Sequence, residues 1–487
     1  MKSFMYHLKT YSGKLRLDDR ASTGIEGLDE VIGGGFPKRS LVLLAGNPGT
    51  GKTAFSVRFL HKGAELGEPG LYVSLAESEN VLVQNAYRHF GVDFRQLKRE
   101  GKIRILDLVA MKGEGVSAAV EAIIDEIASS GAKRLIIDSF TAMAQAFKEP
   151  IDVRVIVHTV LSKMIGQLEC TTIMVEEMPT GSERVGLGFE EFVADGVIVL
   201  RRGWLDGRLL RELELVKMRG VPLEEPKLIF TLKGGFKAFP PFRHKTIDKP
   251  KRFQPTPDLP GKFSTGIPDL DVILEGGYPR GSYNLLEVDS EVPLDAYGHI
   301  IRSAQLNFLA NGNAFLSLPL VGLTPDQIRS FLTPYMDGEI FDRNARIIHY
   351  GTPTDKPYAV NVAGKTFEES FDQSWREIER LKDSRNKPVF SFIDLVTVEY
   401  VYSREAELRA LGKAIANVRK YGDTRMNFAK PSVTLLKEFR DISDIHLRIR
   451  MVHGALVLYG AKPYTGLYNF DIDILKGYPS PKLTPIM

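Results

Sequence analysis

Ser22 to Gly46 reads STGIEGLDEVIGGGFPKRSLVLLAG, and Ser264 to Val288 reads STGIPDLDVILEGGYPRGSYNLLEV. Ser-Thr-Gly-Ile, Leu-Asp, Gly-Gly-aromatic-Pro and a later Ser recur in one register; Pro37 and Pro279, like Ser40 and Ser282, stand 242 residues apart. A gap-free repeat of this kind makes the chain a tandem of two copies of one unit, and 487 residues suit two or three ordinary domains. Between the copies, Pro240, Pro241, Pro250, Pro255, Pro257 and Pro260 lack the amide hydrogen that a helix or central strand needs. This stretch reads as an extended, semi-stiff linker crossing a neighbouring surface. Its Arg243, Lys245, Lys249, Lys251 and Arg252 are of a type that touches phosphate, although solvated surface charge is the plainer reading. The predicted organisation is an N-terminal tail over 1–20, a first domain over 21–242, a Pro-rich basic linker over 243–262 and a second domain over 263–487.

Within the first domain strand and helix alternate. SLVLLAG, GLYVSLAE, KIRILDLVA, RLIIDS and TTIMVEE read as strands. Lys52 to Glu65 reads as a helix with Val57, Leu60 and Ala64 on one face; Val116 to Ala128 and VRVIVHTVLSKMIGQLEC read as further helices. Continuous apolar runs suit parallel strands buried on both faces. DGVIVLRR, RELELVKMRG and KLIFTL follow one another across short turns and suit an antiparallel edge. The fold class is α/β, a mainly parallel sheet with helices on both faces.

Composition narrows the class further. With 43% hydrophobic and 26% charged residues, the chain reads as soluble and globular. A net charge of +3 decides nothing about nucleic acid, since a basic face can hide in a near-neutral total. Cys170 is the single thiol, which excludes an internal disulfide and a Cys-rich metal site; it reads as a small buried residue. The nine histidines show no metal-ligand spacing. No apolar run reaches the roughly 18 residues of a membrane helix, and no signal-peptide core is visible, so the expected location is cytoplasmic.

Gly46-Asn47-Pro48-Gly49-Thr50-Gly51-Lys52-Thr53 fills the pattern G-x-x-x-x-G-K-[ST] between a strand and a helix. Glycines let backbone amides turn inward around phosphate oxygens, and the helix that begins at Lys52 points its positive end at the same anions. The expected ligands are ATP and Mg²⁺, with Ala54 completing the binding segment. Lys52 is expected to reach the β- and γ-phosphates and the Thr53 hydroxyl to hold the ion. A site of this type also needs a carboxylate at the end of an apolar strand, and Asp138 in LIIDSF fits. For orienting the attacking water, YVSLAESEN offers Glu77 and Glu79; either also suits a helix first turn, and Glu77 is preferred.

STGIEGLDEVIGGGFP, the GNPGTGKT loop, YVSLAESEN, LIIDS, FVADGVIVL and LVKMRG together resemble, in order and spacing, the KaiC-like branch of the RecA/RadA ATPase superfamily. The first half is similar from about Ser22 to Phe239. The second half is similar through its opening motif, the strand VFSFIDL and its length. The resemblance implies two tandem RecA-like P-loop domains, with ATP held between neighbouring subunits, usually of a hexameric ring. It also implies a lysine and an arginine of a K-x-R-G segment reaching the neighbour's γ-phosphate. These carry over to Lys217 and Arg219, with Gly220 completing the match; charge supplied in trans stabilises a transferring phosphoryl group. Two departures stand out. Many relatives carry two adjacent glutamates after the second strand, the first being the usual water activator; here that position is Ala76 and only Glu77 remains. The hydroxyls of TRMNFAKPSVTLL do not match the autophosphorylation motif of the clock kinase, and no such activity is expected.

The 242-residue offset sets Val288, Glu291, Pro293, Leu294 and Asp295 where Gly46, Gly49, Gly51, Lys52 and Thr53 stand. Asp289, Glu291 and Asp295 repel a triphosphate, and Pro293 has no amide to offer it. Asp394 in FSFIDL stands at the position of Asp138, and Lys462 in GAKPY is a loose counterpart of the K-x-R-G segment. A domain that keeps its fold and loses its site serves assembly or recognition. The expected function is a KaiC-like regulatory ATPase. It binds and slowly hydrolyses ATP in its first domain, controlling self-association or the binding of an unidentified protein partner. Two alternatives stand beside it. One is a non-hydrolysing nucleotide-dependent scaffold, favoured by Ala76. The other is a DNA-recombination accessory similar to RadA paralogues, disfavoured by the acid-rich PTGSERVGLGFEE.

Overall fold

The computed structural model of the chain describes residues 19–109, 116–144, 169–179, 193–320, 322–383, 387–402 and 404–487. The chain divides into two compact units: one ends at Pro241 and takes in Ile486–Met487, and the other is Phe242–Pro485.

In the first unit the strands are β1 (Leu41–Gly46), β2 (Gly70–Ser74), β3 (Ile103–Asp107), β4 (Arg134–Asp138), β5 (Thr171–Glu177), β6 (Gly196–Leu205), β7 (Arg208–Met218), β8 (Lys227–Thr231) and β9 (Lys237–Phe239). They form one sheet in the order β9-β8-β7-β6-β1-β5-β4-β2-β3. From β6 to β3 every pairing is parallel. β7, β8 and β9 add the antiparallel edge. DGVIVLRR is therefore the last parallel strand, not the first of the edge: Gly196–Leu200 is buried residue after residue, and alternation begins only beyond it.

β1 is covered on both faces. Val42 and Leu44 join a core with helix α1 (Lys52–Glu65), and Leu41, Leu43 and Ala45 join another with helix α3 (Val116–Ser130), while α2 (Glu79–Phe90) packs with α1. α1 buries Phe55, Val57, Phe59, Leu60 and Ala64. Cys170 is buried as expected; its Sγ donates to Ala132 O at 2.8 Å, and burial pushes the thiol up to about 11. The tail over 1–20, the helix expected on VRVIVHTVLSKMIGQLEC and the segment PTGSERVGLGFEE lie outside the described residues, apart from Asp19, Arg20, Glu169, Cys170 and Pro179.

The second unit repeats this plan. Its strands are β10 (Tyr283–Val288), β11 (Ala314–Leu318), β12 (Ala345–His349), β13 (Ala359–Asn361), β14 (Val389–Asp394), β15 (Thr424–Ala429), β16 (Ile445–Val452), β17 (Ala455–Lys462), β18 (Tyr468–Asp473) and β19 (Ser480–Pro485). The order is β13-β12-β11-β14-β15-β10-β16-β17-β18-β19, parallel up to β16 and antiparallel beyond it. Helix α4 (Leu294–Ala310) follows β10 as α1 follows β1. Residues 242–261 hold no regular element and fasten onto this unit. Phe242 N donates to Gly454 O at 2.8 Å, Lys251 N to Gly477 O at 2.8 Å and Phe253 N to Tyr335 O at 2.7 Å. Lys245 is engaged by Asp471 at 2.9 Å.

The repeated opening motif has the same physical content in both units. Asp29 accepts from Ser22 Oγ (2.6 Å), Thr23 N (2.9 Å) and Thr23 Oγ1 (2.5 Å). Asp271 accepts from Ser264 Oγ (2.5 Å), Thr265 N (2.7 Å) and Thr265 Oγ1 (2.7 Å). A two-residue ribbon then closes each motif, pairing Ala21 with Phe36 and Phe263 with Tyr278. The glycine before each aromatic has positive φ, 131° at Gly35 and 104° at Gly277. A Cβ there would lie 2.3 Å from Ala21 O and 2.1 Å from Phe263 O, so no side chain fits.

Gly277→Ala is expected to destabilise the second unit by more than about 2 kcal/mol, through left-handed strain plus a backbone clash. Gly364→Ala, also at positive φ but with open space around its Cβ, is expected to cost about 1 kcal/mol. Urea unfolding read by Trp375 fluorescence in a Trp204→Phe background measures both, since these are the only tryptophans. Equal losses would refute the ribbon constraint.

Candidate functional site

Gly46 ends β1 and Lys52 begins α1, so the glycine-rich loop crosses the C-terminal end of the central strand. Gly49 and Gly51 adopt left-handed φ values of 73° and 108°. A Cβ at Gly51 would meet Leu232 Cδ2 at 2.9 Å, and one at Gly46 would meet Leu200 O at 2.7 Å. The loop is pinned from several sides. Thr50 Oγ1 donates to Asn47 O at 2.8 Å, and Asn47 Nδ2 donates to Met178 O and Pro179 O, each at 3.0 Å. Arg202 Nη2 donates to Pro48 O at 3.0 Å and Arg211 Nη1 to Gly49 O at 3.4 Å.

The loop, Lys52, Thr53 and Ala54 line a cavity of about 370 Å³ together with Tyr72, Ala76, Glu77, Asp138 and Glu177. Lys52 Nζ donates to Gly46 O (2.8 Å) and Asn47 O (3.1 Å), lying back on its own loop. Burial lowers its pKa, against the opposing charges of Glu177 and Asp138. Asp138 ends β4 and accepts a hydrogen bond from the Tyr72 hydroxyl on β2. Burial raises its carboxyl; the Tyr72 bond and Lys52 oppose that, and Glu77 and Glu177 reinforce it. Such a carboxylate is short of positive charge. A divalent cation beside it, with the Thr53 hydroxyl in the same cavity, suits that donor set.

The sequence-predicted residues divide into three groups. Lys52, Thr53, Asp138 and Glu77 meet at one cavity, with the Ser74 hydroxyl donating to Glu77 O at 2.5 Å. Glu79 stands apart: it opens α2, pairs with Lys98, and its amide donates to Asp107 Oδ2 at 2.9 Å. Lys217 and Arg219 lie at the other end of the sheet. Lys217 pairs with Val197 near the start of β6, and its Nζ donates to Ala194 O at 2.7 Å. Arg219 Nη1 meets Asp195 Oδ1 at 3.0 Å, and Asp195 Oδ2 accepts from Leu41 N at the start of β1. That is a strand length, roughly 17 Å, from the loop.

Sequence reading missed Tyr72, Glu177, Arg202 and Arg211. For the arginines a signal existed. Asp206-Gly207 is a two-residue hairpin turn, and it sets Arg202 opposite Arg211. Like charges facing each other across strands are unfavourable alone, and here both point donors at the outer carbonyls of the loop.

In the second unit the same place is chemically different. Lys430, just past β15, donates from Nζ to Asp289 O (3.1 Å) and Val292 O (3.2 Å), taking the role that Lys52 has on its own loop. Asp289 is paired with Arg450 at 2.7 Å. Asp394 ends β14 as Asp138 ends β4, but it caps helix α6 (Leu395–Val401), accepting from Val396 N, Thr397 N and the Thr397 hydroxyl. Lys462 donates to Arg440 O (2.7 Å) and Asp441 O (3.0 Å). Glu287, 1% exposed within β10, is met by Arg440 (2.6 Å), His446 (2.9 Å) and Arg448 (2.9 Å). Burial would raise its carboxyl, but the bonds from His446 and Arg440 and the charge of Arg448 outweigh burial and pull it down to about 2.

Comparison with known proteins gives a consistent picture. Residues 21–236 match the family model "ATPase: KaiC". Protein GvpD2 of Halobacterium salinarum is 26% identical over 486 residues, spanning 93% of this chain and 94% of that protein. A UPF0273 protein of Methanopyrus kandleri is 37% identical over 216 residues, 42% of this chain and 84% of that protein. Among solved structures, a KaiC-like protein of Pyrococcus horikoshii is 36% identical and covers 45% of this chain and 99% of its own, with a TM-score of 0.42.

The Glu287 cluster yields a pH dependence. A carboxyl lowered from 4.5 to about 2 contributes stability that is complete above about 4.5 and lost as pH falls toward about 2. Acid unfolding of the second unit, read by Trp375, is expected to lose that component in Glu287→Gln. At neutral pH this variant is expected to be less stable by about 3 kcal/mol, because Arg440 and Arg448 lose their counter-charge and His446 its hydrogen-bond partner.

Proposed function

Because the chain belongs to the KaiC-like ATPase family, with a nucleotide-binding ATPase-type first unit, we propose that this unit binds Mg-ATP and hydrolyses it slowly, as a regulatory switch. The convergence of Lys52, Thr53, Asp138 and Glu77 on one glycine-lined cavity carries this reading. On binding, Lys52 exchanges two loop carbonyls for phosphate oxygens. Thr53 and Asp138 are the residues to hold Mg²⁺, which when bound neutralises phosphate charge. Glu77 is the carboxylate to orient and deprotonate water. The neighbouring Ala76 lines the cavity without a carboxylate, and this absence supports slow turnover.

Lys217 and Arg219 support a role in trans. They sit a strand length from their own loop, so they serve a neighbour's γ-phosphate in a ring, hexameric by family habit. The second unit, without a phosphate cradle, serves assembly or a protein partner. Nucleic acid is not favoured. Among the described residues no helix is long and apolar enough to cross a membrane, and cytoplasmic location goes with this reading. The second reading, a nucleotide-dependent scaffold that does not hydrolyse, is favoured by Ala76 alone.

Phosphate release from Mg-ATP is expected to fall at least about 100-fold in Lys52→Ala, and to vanish with a chelator. Glu77→Gln is expected to keep ATP binding and to lose at least about tenfold in turnover; an unchanged rate hands the case to the scaffold. Lys52→Ala and Arg219→Ala, each inactive alone, are expected to regain activity when mixed, because one interface then carries both intact residues. No recovery in a mixture shown to co-assemble would refute the trans role.

A further inference from the structure

The second unit has a cavity of its own, about 470 Å³, enclosed by α4, β11, β14 and helix α5 (Pro325–Leu332). Leu294 and Asp295, at one end, are the counterparts of Lys52 and Thr53, but the space runs deeper along α4 than a phosphate loop would. Its walls are apolar, with Ile301, Ile328, Phe331 and Phe392 among them.

Three polar side chains break that surface. Ser317 is 0% exposed, and its Oγ has no hydrogen-bond partner among the described residues. Gln305 is 5% exposed. Arg302 makes no salt bridge among the described residues: its guanidinium lies 5.5 Å from the Phe331 ring, and Nη1 is 3.5 Å from His299 Nδ1. Burial lowers the pKa of Arg302. His299 supplies no negative charge, and burial with the charges of Arg302 and His244 holds it near 3, neutral at pH 7. The carboxylate at the rim, Asp295, is paired with His244 at 3.3 Å. A half-buried cation with no counter-ion and a buried hydroxyl with no hydrogen-bond partner among the described residues are costly unless something enters to meet them. Gly298 also lines the cavity. It lies within α4, where glycine costs about 1 kcal/mol relative to alanine, and no atom approaches the position of its absent Cβ within 4 Å.

We propose that this cavity binds a small amphipathic monoanion: an aliphatic or aromatic carboxylate whose apolar body fills the space and whose carboxylate meets Arg302 and Ser317. The second unit thereby offers a ligand input separate from the nucleotide of the first. Octanoate and 1-octanol, titrated into the full-length chain and followed by ligand-observed NMR, test it. Octanoate is expected to bind saturably, one per chain, at least about tenfold more tightly than 1-octanol. Arg302→Met is expected to erase that preference. Gly298→Phe is expected to block both probes, and Gly298→Ala to keep them. Lys52→Ala is expected to leave octanoate binding intact, which separates this site from the ATP site. Trp375 unfolding transitions confirm that each variant is folded. A folded wild-type chain that binds no octanoate saturably, or binds both probes equally, overturns the proposal, as does undiminished binding by folded Gly298→Phe.

Discussion

Each unit is organised around one strand covered on both faces, β1 in the first and β10 in the second. Such a strand must be apolar along its length, because a polar side chain on either face has no water to meet. Chemistry is thereby pushed to its C-terminal end, where the chain leaves the sheet and turns into a helix. The first unit obeys the rule strictly: β1 is apolar throughout, and the polar groups gather where it and its neighbours end. The second breaks it at Asn284 and Glu287: Asn284 bonds Ser282 and Thr424, and Arg440, His446 and Arg448 gather around the carboxylate of Glu287.

The two loops show one fold carrying two different loop chemistries. A turn after the central strand leaves carbonyl oxygens directed inward, and an ammonium group meets them in both units. In the first, Lys52 comes from the following helix and lies back on Gly46 O and Asn47 O. In the second, Lys430 comes from just past β15, and Asp289, which could compete for it, is held by Arg450. Asp394 is likewise drawn into capping a helix. The second loop is satisfied internally, and satisfaction of that kind removes the need for an anion. Meanwhile Asp271 and Gly277 persist, because the turn and ribbon they build are required by the fold and not by any ligand.

The K-x-R-G residues illustrate the reach of topology. Antiparallel pairing of β7 on β6 carries Lys217 and Arg219 to the start of β1, away from the loop at its end. A single chain thus holds its glycine-rich loop at one end of the sheet and the K-x-R-G residues at the other.

The amino-acid sequence by itself determined the duplication, the parallel strands and the glycine-rich loop, and it singled out Lys52, Thr53 and Asp138, which line one cavity. These features are local: a run of apolar residues, a glycine spacing or a terminal carboxylate is written in neighbouring positions. Glu77 and Glu79 were both candidates on sequence, and tertiary structure separated them by giving Glu79 to Lys98 and Asp107. Tertiary structure also moved DGVIVLRR from the edge into the parallel sheet, since burial on both faces depends on what packs there. It drew Tyr72 onto Asp138 and Arg202 and Arg211 onto the loop. The partnerships of Lys430, Arg450 and Arg440, and the cavity around Arg302, were likewise beyond the sequence. Each joins residues far apart in the chain, and charge balance in a buried place is a property of the whole neighbourhood rather than of any segment.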